Sequence, residues 1–448
     1  MTDNIVSAIW SGDLSPPQSI PESADIVIIG GGIVGVSTAW FLARQGVSVA
    51  LCEKGFIAGE QSSRNWGWVR VQGRDPREVP MMLESLRIWR TLSEDIEEDV
   101  GYTESGCLYT ARTQKELAGF AHWRDLAQEY GLSTKLISGS ELTAQVGDAA
   151  SQWVGGIFTQ TDGRAEPHKA APAIARAAVK AGARIMASCA VRGLETKGGR
   201  VSAVVTEHGT IRTSTVLCAA GAWSSMFCRS VGISLPQLKV RGTVARTSVA
   251  PSNIKCNVFD NLIAIRPRQD GGYTVAHGSI LDHNLTPSTL RYAFKFLPAL
   301  RQEIGSLRLS IGKEFLDELR TPKIWALDIE SPFEATRVLN PPPNPKVLAS
   351  IKKNLAKTFP ELANVKIVEA WAGMVETSPD VVPIICGEDS LPGFFIATGF
   401  SGHGFGLGPG AGKAIAAMLT GNDIGIDLLP FRLSRFFDGS PIRPHSAI

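Results

Sequence analysis

The chain carries no excess of either charge: 45 Lys and Arg stand against 43 Asp and Glu, a net +2 over 448 residues. With no basic field to attract a phosphate backbone, nucleic acid is excluded as a partner. It has no CxxC pair. The seven cysteines, at 52, 107, 189, 218, 228, 256 and 386, are scattered and odd in number. That excludes a disulfide frame, a zinc cluster and an iron–sulfur site, and favours reduced thiols in a cytoplasmic protein. The histidines, at 122, 168, 208, 277, 283, 403 and 445, lack metal-ligand spacing, so no metal is expected. Residues 26–43 come nearest to a membrane span, but they are marginal in length, rich in glycine and small side chains, and preceded by Asp25. The first ten residues lack the basic-then-apolar order of a secretory signal, and Ser15 to Pro21 reads as an extended lead-in, with no repeat or low-complexity tract before it.

What is present begins at Asp25-Ile-Val-Ile-Ile-Gly30-Gly-Gly32-Ile-Val-Gly35. An apolar strand enters a Gly-x-Gly-x-x-Gly turn and an amphipathic run follows to Gln45. A second strand, Val47 to Cys52, then ends at Glu53. Strand, turn, helix, strand and acid form the full dinucleotide-binding context. The glycines let the backbone approach a pyrophosphate, which sits at the positive end of the helix. Glu53 accepts from a ribose with free hydroxyls, which favours FAD or NAD over a 2′-phosphorylated cofactor.

At this length two domains are expected. Residues 75–147 are rich in helical periodicity, and the acidic run Ser93 to Asp99 reads as a solvated helix end. A helix is expected over 166–183 and a strand from Gly182 to Val191. Two strands follow around a turn at His208, and then the return Val216-Leu-Cys-Ala-Ala-Gly-Ala-Trp223. Strands over 236–279 point to an antiparallel sheet. Residues 286–320 read as helical, the Asn340 to Pro345 run as a stiff connector, and 345–359 as a helix before a strand over 365–374. Phe394 to Phe405 reads as a buried strand with a glycine-rich turn, and Gly408 to Leu419 as a small-residue helix whose start faces the electron-rich edge of a flavin.

These motifs, in this order, resemble the FAD-dependent amino-acid oxidoreductases of the D-amino-acid oxidase, glycine oxidase and sarcosine oxidase superfamily over nearly the whole chain. Within it the sequence is most similar to the bacterial membrane-associated L-amino-acid deaminases. The shared stretches are Ile57-Ala-Gly-Glu-Gln-Ser-Ser-Arg64, Arg192 to Thr196, Val205-Thr-Glu207, Tyr292 to Pro298 and Glu330-Ser-Pro-Phe-Glu334. The N-terminal hydrophobic anchor of those enzymes has no counterpart in this sequence, so a membrane location and a respiratory acceptor are not carried over.

The resemblance implies an α/β fold, α+β overall. A Rossmann-like FAD-binding domain is expected over 24–74, 166–228 and 367–425. A substrate domain of antiparallel sheet plus helices covers 75–165 and 229–366, with a helical insertion at about 283–320 that leaves a peripheral membrane contact open. FAD is the implied cofactor. Gly30, Gly32, Ile33, Val34 and Gly35 would hold its pyrophosphate, Glu53 with Lys54 its ribose, and Val191 its adenine. The Gln61-Ser62-Ser63-Arg64 loop, followed by Gly67 and Trp68, would run along phosphates and flavin. Ala220, Gly221, Trp223 and Gly373 join the cofactor set. Gly402, His403, Gly404 and Phe405 form the turn at the pyrimidine edge, where His403 is either a satisfied turn residue or a participant.

An amino-acid substrate needs a bidentate donor for its carboxylate. The resemblance places it at Arg266, with Arg268 as rival and an ion pair with an acid as the other reading. Trp371 is either a pocket wall or a core side chain. Glu376 is either a strand-end carboxylate in water or a partner for a basic substrate side chain such as that of arginine or lysine. The implied reaction passes a hydride from Cα to flavin N5, giving a 2-oxo acid and ammonia after hydrolysis, with O2 or another acceptor reoxidising the cofactor. The alternatives are oxidation of a sarcosine-type secondary amine or a D-amino acid, and a flavoprotein subunit of a larger dehydrogenase.

Overall fold

The computed structural model describes residues 19–251 and 253–444. The first ten residues, most of the Ser15–Pro21 lead-in and His445 lie outside them. The first strand, Ile26–Ile29, is buried on both faces and takes a parallel neighbour on each side. Such a strand needs a continuous apolar run rather than alternation, which Ile-Val-Ile-Ile supplies. It lies within a six-stranded sheet ordered Ile384–Gly387, Phe394–Thr398, Val216–Cys218, Ile26–Ile29, Val49–Cys52 and Arg184–Met186. All neighbours run parallel except the Ile384–Gly387 edge. A three-stranded antiparallel sheet, Val191–Lys197, Arg200–Thr206 and Gly209–Arg212, makes the excursion expected around His208.

The second large sheet has ten strands, with Leu238–Thr247 paired along its length to Ile367–Thr377. It is mostly antiparallel, but Asn257–Phe259 runs parallel to Cys107–Ala111, and Leu281–Asn284 parallel to Leu307–Ser310. The first of these departs from the helical reading of 75–147. Cys107–Ala111 is buried at every position between two strands, so it shows no alternation to betray it. The expected helical stretch over 286–320 is likewise broken. Helices Pro287–Arg291, Ala293–Glu303 and Lys313–Arg320 flank the strand Leu307–Ser310.

Three helices fix the geometry beneath the site. Helix Gly404–Thr420 lies against Ile33–Ala43 and Val79–Asp95, and its glycines let the backbones nearly touch. A Cβ at Gly412 would stand 2.5 Å from the Ser37 Cβ, and one at Gly410 2.5 Å from the Met81 carbonyl oxygen. Ser85 Oγ and Trp89 Nε1 both donate to the Gly406 carbonyl, at 2.6 and 2.9 Å. Residues 79–95 thus pack on the helix that follows the glycine-rich turn. No helix among the described residues is long and apolar enough to cross a membrane.

Candidate functional site

The first strand turns through Gly30 into helix Ile33–Ala43. Gly30 has φ +110°, and a Cβ there would lie 2.5 Å from the Ala219 carbonyl oxygen. A Cβ at Gly35 would lie 2.1 Å from the Gly30 carbonyl oxygen, so that helix can seat against the turn only as glycine. The first-turn amides of the helix have no intrahelical acceptor. That of Ile33 donates to Ser62 Oγ at 2.9 Å. At the end of Val49–Cys52, Glu53 accepts from the Gly31 and Gly55 amides, each at 2.7 Å. Burial pushes its carboxyl above the usual range and these two amides oppose the rise. Each oxygen has a further lone pair for a ribose hydroxyl.

From this cradle a cavity of about 1200 Å³, open solvent at its mouth included, runs from Glu53 and Val191 past Gly32, Ile33, Val34 and Ser62 to Gly402, Gly404 and Phe405. Lys54, Gln61, Ala220, Gly221, Trp223 and Glu376 also line it. The lining suits FAD. A backbone cradle that a Cβ would fill could take the pyrophosphate, the acid at one end a ribose, and the start of helix Gly404–Thr420 at the other would offer its amides to a ring edge that gains charge on reduction. Gly31, Asn65, Met374, Ala397 and Phe400 line it as well. Gly31, Asn65 and Met374 neighbour positions expected from sequence, and Ala397 and Phe400 lie in the strand and turn read over 394–405, though nothing in the sequence singles any of them out.

Other expected residues stand behind this lining. Arg64 is a buried brace that donates to Asn340 Oδ1, the Ala372 carbonyl and the Gly59 carbonyl at 2.9–3.0 Å. Trp371 Nε1 donates to the Arg64 carbonyl at 3.0 Å, and Ser63 Oγ to the Glu60 carbonyl at 3.2 Å. A Cβ at Gly373 would strike Gln61 Oε1, and one at Gly67 the Arg266 guanidinium. Trp68 is buried within an aromatic row with Trp66 and Tyr109. His403 turns away from the cavity, its Nδ1 3.0 Å from the buried carboxylate of Glu78. Burial holds the imidazole below its usual pKa.

Arg266 calls for a correction. Its guanidinium is 1% exposed and forked onto Glu166, at 2.9 and 3.1 Å, with a further bond to Thr274 Oγ1 at 3.0 Å. The acid on the strand face is the chain's own, one hundred residues earlier, and the fork offered to a substrate is already engaged. Arg268 pairs with Asp270 at 3.0 Å.

A polar cluster that sequence reading missed lies beside the Gly402–Phe405 turn. Arg74 is buried, one terminal nitrogen 4.0 Å from Glu78 and making no hydrogen bond. Burial and the neighbouring Arg70 bring it down to about 10. Arg70, half-buried, lies 5.4 Å from the Tyr109 ring centroid and donates to the Gln72 carbonyl. Both cations act on His403. Asp162, pushed up to about 7 by burial, accepts the Val71 and Gln72 amides at 2.7 and 3.1 Å.

A family model described as "DAO: FAD dependent oxidoreductase" matches residues 25–418. Among solved structures, the chain is similar to L-amino acid deaminase from Proteus myxofaciens in complex with anthranilate. The two are 35% identical with a TM-score of 0.91, over 94% of this chain and 95% of that one. The deaminase from Proteus vulgaris gives 30% and 0.90, over 95% and 100%. By sequence the chain is 24% identical to mitochondrial sarcosine dehydrogenase of Mus musculus over 94% of its own length, but it spans only 42% of that relative.

Proposed function

Because this chain belongs to the DAO family of FAD-dependent oxidoreductases, we propose that it oxidises the Cα–N bond of a free amino acid of L configuration. The resulting imine hydrolyses to a 2-oxo acid and ammonia. When bound, FAD supplies the two-electron oxidant. The chain's own residues do the rest. Gly30–Gly35 and Ser62 hold the pyrophosphate, Glu53 a ribose, and the amides at the start of helix Gly404–Thr420 meet the charge that develops on the ring. What supports the amino-acid reading most is the likeness to the Proteus myxofaciens deaminase over nearly all of both chains.

With Arg266 engaged by Glu166, we assign the substrate carboxylate to Arg70. Arg70 is half-buried, its guanidinium 5.4 Å from the Tyr109 ring centroid, and the nearby charge of Arg74 adds to the positive potential there. Positioning by a fixed fork is the main contribution such a site makes to rate. No side-chain base is needed if the substrate amine enters neutral.

The test is anaerobic mixing of the purified flavoprotein with L- and D-amino acids and sarcosine, following flavin absorbance. Arginine and lysine belong in the panel because Glu376 offers a carboxylate to a cationic side chain. Bleaching by L-amino acids is expected. Bleaching by sarcosine or D-amino acids alone overturns the assignment. Arg70→Met should raise KM at least a hundredfold for the carboxylate substrate and leave flavin content unchanged.

A further inference from the structure

Glu376 sits on the long strand Ile367–Thr377, lines the cofactor cavity and is 8% exposed. Among the described residues no side-chain cation lies within 4 Å of it, and the donors nearest its carboxyl are the backbone amides of Glu376 itself and Phe400. An isolated buried carboxylate is costly, and proteins retain one where its charge changes in use.

The surroundings sharpen the point. On the facing strand the register partner is Lys239, but its ammonium lies over the Trp223 ring, 5.3 Å from the centroid. From the segment after the second strand comes Glu60, a like charge that opposes ionisation of Glu376. Its own oxygens are engaged by Lys54 and by Trp223 Nε1 at 2.9 Å. Lys54 is spent on Glu60 and on the Thr336 and Arg337 carbonyls. On the glycine-rich turn, His403 points the other way, to Glu78. Burial, with Glu60 adding to it, raises the Glu376 carboxyl to about 7.

We propose that Glu376 is the redox-linked proton acceptor of this cavity, taking up one proton when the bound cofactor is reduced and releasing it on reoxidation. Reduction by an electron pair and one proton leaves a net negative charge on the ring system. A second negative charge on Glu376 in the same low-dielectric cavity is unfavourable, so a solvent proton converts the carboxylate to the neutral acid. In turnover the count closes. The substrate ammonium gives one proton to solvent before it enters as the neutral amine, loss of the α-hydrogen with its electron pair then gives the iminium, and Glu376 binds one proton. This rests on FAD binding but not on the substrate assignment.

The experiment is a redox titration of the holoprotein with dithionite and mediators from pH 6 to 9, without substrate. Above the ionisation of Glu376 in the oxidised state, wild type should take two protons per electron pair and Glu376→Gln one, so the slope of potential against pH halves in the variant. Reduced-minus-oxidised infrared spectra of wild type should show a protonated-carboxyl band that appears on reduction and shifts in D2O. That second measurement needs no variant to fold. One proton per pair in wild type across the range, or no carboxyl band, overturns the proposal. Loss of flavin absorbance from the start would fault the cofactor reading instead, and bleaching by the wrong substrate class would leave this inference standing.

Discussion

Arg266→Met separates a structural cation from a substrate-binding one. Arg266 and Glu166 are 1% and 2% exposed, joined by a two-pronged fork, and Glu166 also accepts the Gln269 amide at 2.9 Å. Burial alone would raise the Glu166 carboxyl, yet Arg266 holds it below the usual range. Removing the guanidinium leaves that buried carboxylate with only the Arg268 cation, 3.9 Å away and already paired with Asp270, and breaking such a buried pair costs up to about 3–5 kcal/mol. Replacing both members by apolar side chains of similar volume is close to neutral by comparison. Urea unfolding followed by far-UV circular dichroism should therefore show a large loss for Arg266→Met and recovery of most of it in Arg266→Met with Glu166→Leu. KM for the amino acid should stay near wild type in the folded single variant. A single variant that keeps its midpoint to within about 1 kcal/mol while KM rises a hundredfold for carboxylate substrates alone would refute the reasoning and return Arg266 to the substrate.

Three further outcomes are expected. Gly30→Ala should abolish flavin binding, because its Cβ would stand 2.5 Å from the Ala219 carbonyl oxygen at a φ of +110°; flavin-to-protein absorbance of the purified variant reads this directly. Ser62→Ala removes the acceptor of the Ile33 amide and should cost about 1 kcal/mol, less once a phosphate takes that amide, as thermal shifts with and without FAD would show. In the apoprotein Glu376 keeps its proton to about 7, against a reference of 4.5. The folded state then binds more protons at Glu376 than the unfolded between these values, so the stability this group contributes is full below pH 4.5 and is lost as pH rises toward 7. At 1.36 kcal/mol per pKa unit the loss is about 3 kcal/mol. The stability of wild type relative to Glu376→Gln should drop by that order across the interval; a constant difference would count against it.

The cradle was legible because its parts are local. Gly30, Gly32, Gly35 and Glu53 belong to one strand–turn–helix–strand unit whose spacing is set by backbone geometry. Arg266 was legible as a buried cation, with pairing to an acid among its readings, but the acid itself could not be named. Its partner Glu166 opens a different helix, and nothing in either stretch announces the other. The cluster of Arg70, Arg74, Glu78, Asp162 and His403 hid for the same reason. It assembles from the segment between Val69 and helix Val79–Asp95, the turn before Gly163 and the glycine-rich turn. The strand Cys107–Ala111 escaped because complete burial erases alternation, and Leu307–Ser310 because a four-residue strand between helices adds little to a periodicity.

The glycines of helix Gly404–Thr420 leave no side chain to yield where it meets Ser37 of helix Ile33–Ala43 and Met81 of helix Val79–Asp95. Its first turn also closes one end of the cavity that runs past Gly30–Gly32 to Glu53 and Val191. During synthesis, then, the first strand waits for its partner Val216–Cys218, and the cavity is complete only once this late helix has emerged and docked. Any chain truncated before it, however well its first half folds, should be made as a colourless protein.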